Sequence, residues 1–126
     1  MEKVLFDTTV TRVGHEAKDM LAQSGLIVLF GLEVPEILVD IAFVHDSNAL
    51  ADTVSETDVL VLDGKQHPIR QVGDLACKNL AAMGHCTLHF CIDGSAELLP
   101  GSIILQTDAF PTVDLGSRIQ IFRTSD

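Results

Sequence analysis

Five histidines are the groups through which this chain could do chemistry, and His45 is the best placed of them. It closes an apolar run, Ile41-Ala42-Phe43-Val44, and is followed at once by Asp46-Ser47-Asn48. A strand end holds a side chain rigidly while leaving its tip within reach, which suits a nucleophile. The turn behind it offers backbone N–H groups that can meet phosphate oxygens. A histidine that merely caps a strand has the same appearance. His85 opens a second run, His85-Cys86-Thr87-Leu88-His89-Phe90-Cys91. Alternation along a strand puts His85, Thr87, His89 and Cys91 on one face, with Cys86, Leu88 and Phe90 toward the core. Two histidines and a cysteine on one face could ligate zinc; a solvated polar face is the plainer reading. His15, beside Glu16, and His67, before Pro68, read as surface residues.

Cys77, Cys86 and Cys91 are odd in number and form no Cys-x-x-Cys pair, so they read as reduced thiols filling small spaces in a core. No Gly-x-Gly-x-x-Gly, P-loop, His-Glu-x-x-His or Gly-x-Ser-x-Gly pattern occurs, which removes the commoner nucleotide-binding and hydrolase chemistries. With 126 residues, 47% of them apolar, the chain can bury a core as one domain, 1–126, without staples. Lacking Trp and Tyr, it must build that core from aliphatic residues and six Phe. Eight basic against eighteen acidic residues give a formal charge of −10, which disfavours nucleic acid and anionic lipid as partners and permits a basic protein. The longest apolar run, Leu26–Phe30, is too short to cross a bilayer, and the start lacks a signal-peptide layout. A cytoplasmic protein with no membrane insertion is the expectation.

The elements that must position these histidines are mostly short strands. Residues 4–13, 26–30, 41–45, 58–62, 68–72, 85–91, 102–106 and 117–123 carry strand patterns, and Asp63-Gly64 marks a hairpin. His15–Gln23 and a segment capped by Asp74 and running to Ala82 read as helices, each stopped by glycine, with a helical turn from Pro35. The fold class is therefore all-β with two short helices, a barrel or a sandwich. Residues 13–29 align without gaps on 72–88, with seven of the seventeen positions identical. Each copy reads strand, Val-Gly, short helix, Gly, strand. Such a duplication fits a small β-barrel with internal pseudo-twofold symmetry better than a solenoid, which needs more copies. Duplicated halves should share packing residues, so a polar residue facing an apolar counterpart is a candidate for function. By simple offset His45 falls opposite Ile104, and His85 opposite Leu26.

Several segments in order resemble the glucitol/sorbitol-specific IIA component of the bacterial phosphoenolpyruvate-dependent phosphotransferase system. They are Thr9-Val10-Thr11-Arg12-Val13-Gly14, Phe43-Val44-His45, Val72-Gly73 with Asn79-Leu80, Gly84-His85-Cys86-Thr87-Leu88, Pro100-Gly101-Ser102 and Gly116-Ser117-Arg118-Ile119. The similarity spans roughly residues 4 to 122 and rests on order and spacing. The chain departs from the family pattern at Asp46-Ser47-Asn48 and at Glu56-Thr57-Asp58. The resemblance implies a small barrel and a phosphohistidine at His45, with His85 matching the family's Gly-His pair. It implies a carrier that takes a phosphoryl group from the general histidine phosphocarrier protein and passes it to the IIB domain of its transporter, alongside the membrane IIC component. No cofactor or metal is implied. A histidine nitrogen is nucleophilic near neutral pH, and His85 or Thr87 could orient the imidazole of His45. Two rivals stand beside this: a barrel that only binds or regulates, and a metalloenzyme using His85, His89 and Cys91.

Overall fold

The computed structural model describes residues 2–94 and 96–124; Met1, Ser95, Ser125 and Asp126 lie outside the described residues. β1 (Glu2–Val13) is followed by α1 (Ala17–Ser24), β2 (Leu26–Phe30), a 3-10 turn at Glu36–Leu38, β3 (Ala42–His45) and β4 (Val59–Leu62). The order then repeats as β5 (Lys65–Val72), α2 (Ala76–Met83), β6 (Cys86–Cys91), β7 (Ser102–Gln106) and β8 (Arg118–Thr124). Hydrogen bonding runs β1-β3-β2-β6-β7-β5-β4-β8 and closes on itself, so the architecture is a barrel and not a sandwich. Closure removes the unpaired edges that a small open sheet would expose.

β1 and β5 are long because each serves two neighbours. β1 pairs with β8 as far as Thr9 and with β3 from Val10; β5 pairs with β4 as far as Pro68 and with β7 from Ile69. Pro68, which has no N–H for a ladder, stands where β5 changes partner. Just beyond, the register slips between Val10 and Arg12 in one half and between Ile69 and Gln71 in the other. An extra residue there bends the strand and lets it swing to its second neighbour. Phe6, Phe43, Phe90, Leu60, Leu88 and Leu105 fill the interior, all but sealed from solvent.

Strand pairing turns the sequence repeat into a rotation. β2 and β6 run antiparallel through the pair Val28 and Thr87, which are 59 residues apart, the same offset that aligns Val13-Gly14 with Val72-Gly73. The helices that follow are only eight residues each and carry no side-chain cap. Helices this short do not persist alone; Ala17 and Leu21, or Ala76 and Leu80, pin them to the barrel. Asp74 was the expected cap of the second. Instead the chain spends Gly73–Leu75 on a turn against the backbone, with the Leu75 N–H on the Pro100 carbonyl at 2.8 Å, and the helix starts at Ala76.

Two expectations are corrected by the register. β2 pairs in parallel with β3 through Val28 and Ala42, and β6 with β7 through Thr87 and Ser102, so the offset has grown from 59 to 60 by the third strand of each half. His45 therefore corresponds to Leu105 and not to Ile104; each faces the residue at the matching bulge, Val10 or Ile69. His67, read as a surface residue, is 1% exposed. It alternates inward with Ile69, while Gln66, Pro68 and Arg70 face out.

Candidate functional site

β3 is buried along its whole length, so His45 points into protein with 0% of its surface exposed. Its ring meets the edge of Phe6, centroids 5.7 Å apart. Nε2 lies 2.6 Å from the carbonyl oxygen of Gly84. A carbonyl only accepts, so Nε2 carries the proton and Nδ1 the lone pair. Nδ1 lies 2.8 Å from Thr8 Oγ1 and takes a longer approach, 3.4 Å, from the Ser47 N–H. Thr8 Oγ1 is also 3.1 Å from Asp46 Oδ1, which accepts the Thr9 N–H at 3.2 Å. The Asp46 carboxylate is thus turned back onto β1. Burial lowers the pKa of His45 below its usual 6.5, against the opposing pull of the Gly84 carbonyl and the Asp46 charge. Above that value the imidazole is neutral, the state a nucleophile needs.

The Gly84 carbonyl is free for this task because it lies past the end of α2, where the last carbonyls have no partner within the helix. The neighbouring Gly31 N–H bonds the Met83 carbonyl at 3.0 Å and leaves that of Gly84 to the imidazole. Gly84 itself has φ of 66°, and a Cβ there would lie 3.0 Å from both Gly31 Cα and His45 Cε1.

The other half of the barrel lacks this arrangement. Leu105 replaces His45, and at an offset of 59 His67 replaces Thr8; both His67 and Thr8 are buried. His67 sits edge-on to Phe90, and its Nε2 is buried without a hydrogen-bond partner among the described residues. Its pKa is lowered by burial first and by the Lys65 charge second, with a backbone bond to Gln106 opposing. His45 and His67 therefore take up protons less readily in the folded protein than in the unfolded chain, which does so below about pH 6.5. Their contribution to stability is complete above that pH and is lost as pH falls. Asp7, Asp52 and Asp114, whose pKa values are lowered below 3.8, act only at more acid pH. The free energy of unfolding in urea should therefore fall with a definite slope between pH 7 and pH 5. His67→Leu should flatten that slope; an unchanged slope would exclude His67 as its source.

Among the described residues His85 makes no hydrogen bond or ring contact with His45. Its Nδ1 bonds the Leu29 carbonyl at 3.0 Å and its ring stacks on Phe30, centroids 4.5 Å apart. It is joined to the site through the backbone, as the residue after Gly84. Thr87 lies half-buried in the β6 ladder opposite Val28. The groups that do touch His45, Thr8 and the Gly84 carbonyl, were not singled out from sequence. His85, His89 and Cys91 do not converge: among the described residues the group that brings metal-binding atoms together is His15, Glu16 and Asp40, all exposed. The Cys86 thiol is pushed up to about 12 by burial and is inert. A cleft of about 360 Å³ adjoins the turn that follows His45, lined by Phe30–Glu33, Asp46–Asn48 and Met83 and not by His45 itself. No helix among the described residues is long and apolar enough to cross a membrane.

Comparison with known proteins bears on this geometry. Residues 5–120 match the family model of the PTS system glucitol/sorbitol-specific IIA component. The glucitol/sorbitol-specific EIIA components of Shigella flexneri and Escherichia coli K12 are each 32% identical over 101 residues, 79% of this chain and 80% of theirs. A crystal structure of a PTS system IIA component from Enterococcus faecalis V583 superposes with a TM-score of 0.79 at 25% identity, over 90% of this chain and 97% of that one.

Proposed function

Since the chain belongs to the glucitol/sorbitol-specific IIA family of the phosphotransferase system, we propose that it carries a phosphoryl group on His45 during sugar-alcohol uptake. The observation that supports this most is the asymmetry of a two-fold barrel. One half holds a neutral imidazole with both nitrogens in hydrogen bonds, and the other holds leucine at the same position. In the transfer, a His45 nitrogen forms a bond to phosphorus as the bond to the donor's histidine breaks. The electron pair leaves with the donor ring, which takes up a proton. Positioning and stabilisation of the oxygens carry most of such a reaction.

Both nitrogens are occupied and covered at rest, so acceptance begins with displacement of Ser47 and Asn48, while Asp46 stays anchored on β1 by the Thr9 N–H. Those two residues are lightly held: Asn48 Nδ2 donates to the Ala81 carbonyl at 3.2 Å, and the Ser47 N–H makes the long approach to Nδ1. The cleft beside them is where the donor docks. Leu32 and Met83, both exposed, give it apolar surface, and Glu33 and Asp46 give it negative charge. From residue 19 to residue 64 the sequence has nine acidic residues and no Lys or Arg. This supports a basic donor, the histidine phosphocarrier protein, with the IIB domain and its membrane-bound IIC component downstream, in the cytoplasm. His85, fixed on Leu29 and Phe30, steadies the peptide that presents the Gly84 carbonyl.

The test is incubation with phosphoenolpyruvate, enzyme I and the phosphocarrier, followed by intact-mass measurement; one acid-labile phosphoryl adduct is expected. Glu33→Lys should slow the transfer and weaken its dependence on salt, because exposed charges that steer encounter are screened over about 10 Å at 0.1 M. A rate unchanged at low salt would place the docking surface elsewhere.

A further inference from the structure

We propose that Thr8 is a positioning residue for phosphoryl acceptance, its single hydroxyl proton shared between His45 and Asp46; the inference rests on the carrier reading above. Thr8 Oγ1 lies within hydrogen-bond distance of Nδ1, 2.8 Å, and of Asp46 Oδ1, 3.1 Å. One proton serves two acceptors, so the hydroxyl has two settings. Donating to Nδ1, it holds the tautomer with the proton on Nε2, which the Gly84 carbonyl also selects. Donating to Asp46, it offers its own lone pair to a proton on Nδ1, and the pair on Nε2 is then free once the ring has turned away from the Gly84 carbonyl, which has no proton to give it. Phosphorus bonding at either nitrogen draws positive charge onto the ring, and the N–H at the other nitrogen then needs a strong acceptor. The Gly84 carbonyl stands ready on one side, and Thr8 backed by the Asp46 carboxylate on the other. In either setting the phosphorylated ring carries one N–H.

Three features set Thr8 apart from an ordinary buried hydroxyl. It is 3% exposed, so bulk water cannot take its place. Asp46 is anchored independently by the Thr9 N–H at 3.2 Å, so the acceptor stays in position whichever way the hydroxyl turns. And the two-fold mate of Thr8 is His67, just as the mate of His45 is Leu105, so the two halves differ at both members of the pair.

The experiment combines the rate of phosphoryl acceptance with 15N NMR of His45, in wild type, Thr8→Val and Thr8→Ser. Thr8→Val keeps the shape and removes the proton. The rate should fall about 10- to 100-fold, the size of one lost charge-assisted hydrogen bond, and the His45 tautomer populations should shift. Thr8→Ser should restore both. If Thr8→Val does not fold, Asp46→Asn, an exposed change, should still shift the tautomer populations by removing the charged acceptor. Wild-type rate in Thr8→Val, or an unmoved tautomer in the variant that folds, overturns the positioning role while an adduct on wild type leaves the carrier reading intact. A wild type that takes no phosphoryl group overturns both.

Discussion

Replacing His45 with alanine should leave a folded barrel that takes no acid-labile phosphoryl group from the phosphocarrier. The loss should be complete and not graded, because the other buried histidine, His67, sits in the opposite half of the barrel beneath Phe90. Alanine also strips the Gly84 carbonyl of its partner, which costs about 1–3 kcal/mol of stability for a group left buried and unpaired, while the Thr8 hydroxyl can still donate to Asp46. His45→Gln, whose amide can still donate to the Gly84 carbonyl, should recover part of that stability and none of the phosphorylation. His85→Ala should keep the adduct at a reduced rate, since it loosens the Phe30 stack and the Leu29 bond without removing a nucleophile. An adduct that survives in His45→Ala and vanishes in His85→Ala would move the acceptor to the strand that follows α2. No adduct on the wild type with active upstream proteins would favour a barrel that only binds or regulates.

How much of this arrangement lay in the sequence depends on how far each contact reaches along the chain. The strands were legible because each shows its own alternation, and both helices because glycine stops them. The duplication was legible in the spacing of Val-Gly, Leu-Ala and Gly. His45 stood out as a polar residue at the end of an apolar strand. Its partners did not, because Thr8 is 37 residues before it and Gly84 is 39 after it. Nothing local to Thr8 separates it from the other threonines of β1. The Gly84 contact uses a backbone carbonyl, which no side-chain pattern reports. His67 was misread for a different reason: the proline beside it suggested a turn, whereas it lies inside a strand at a change of partner, where a missing N–H does no harm. The counterpart of His45 was misplaced by one residue, since the stretch from Thr87 to its partner Ser102 is one residue longer than the matching stretch from Val28 to Ala42, and a one-residue slip exchanges inward and outward positions.

The two-fold relation makes a second strong prediction, one about stability. Gly14 and Gly73 end the first long strand of each half, and both are pressed against a carbonyl pair from the connection leading into β3 or β7. A Cβ on Gly14 would lie 2.3 Å from the Val39 and Asp40 oxygens, and one on Gly73 2.3 Å from those of Leu99 and Pro100. These are backbone atoms and cannot rotate aside as a flexible side chain would. The contact is also productive: the Gly14 N–H bonds the Ala42 carbonyl at 2.9 Å and the Gly73 N–H that of Ser102 at 2.8 Å, so each glycine clamps the start of the next strand. An added methyl must push that strand away or break the clamp. Gly14→Ala and Gly73→Ala should each cost about 3 kcal/mol, the upper part of the usual range for overpacking. In thermal unfolding that is a midpoint lower by about 10 °C. The functional outcomes should differ, because only the first glycine aligns the strand that ends in His45. Gly14→Ala should lower the rate of phosphoryl acceptance even where the barrel stays folded, and Gly73→Ala, at a temperature where it is folded, should not. Equal stabilities with that split in rates are what the symmetry of the frame and the one-sided chemistry together require. A Gly73→Ala protein that is folded but slow would tie the second half to the site.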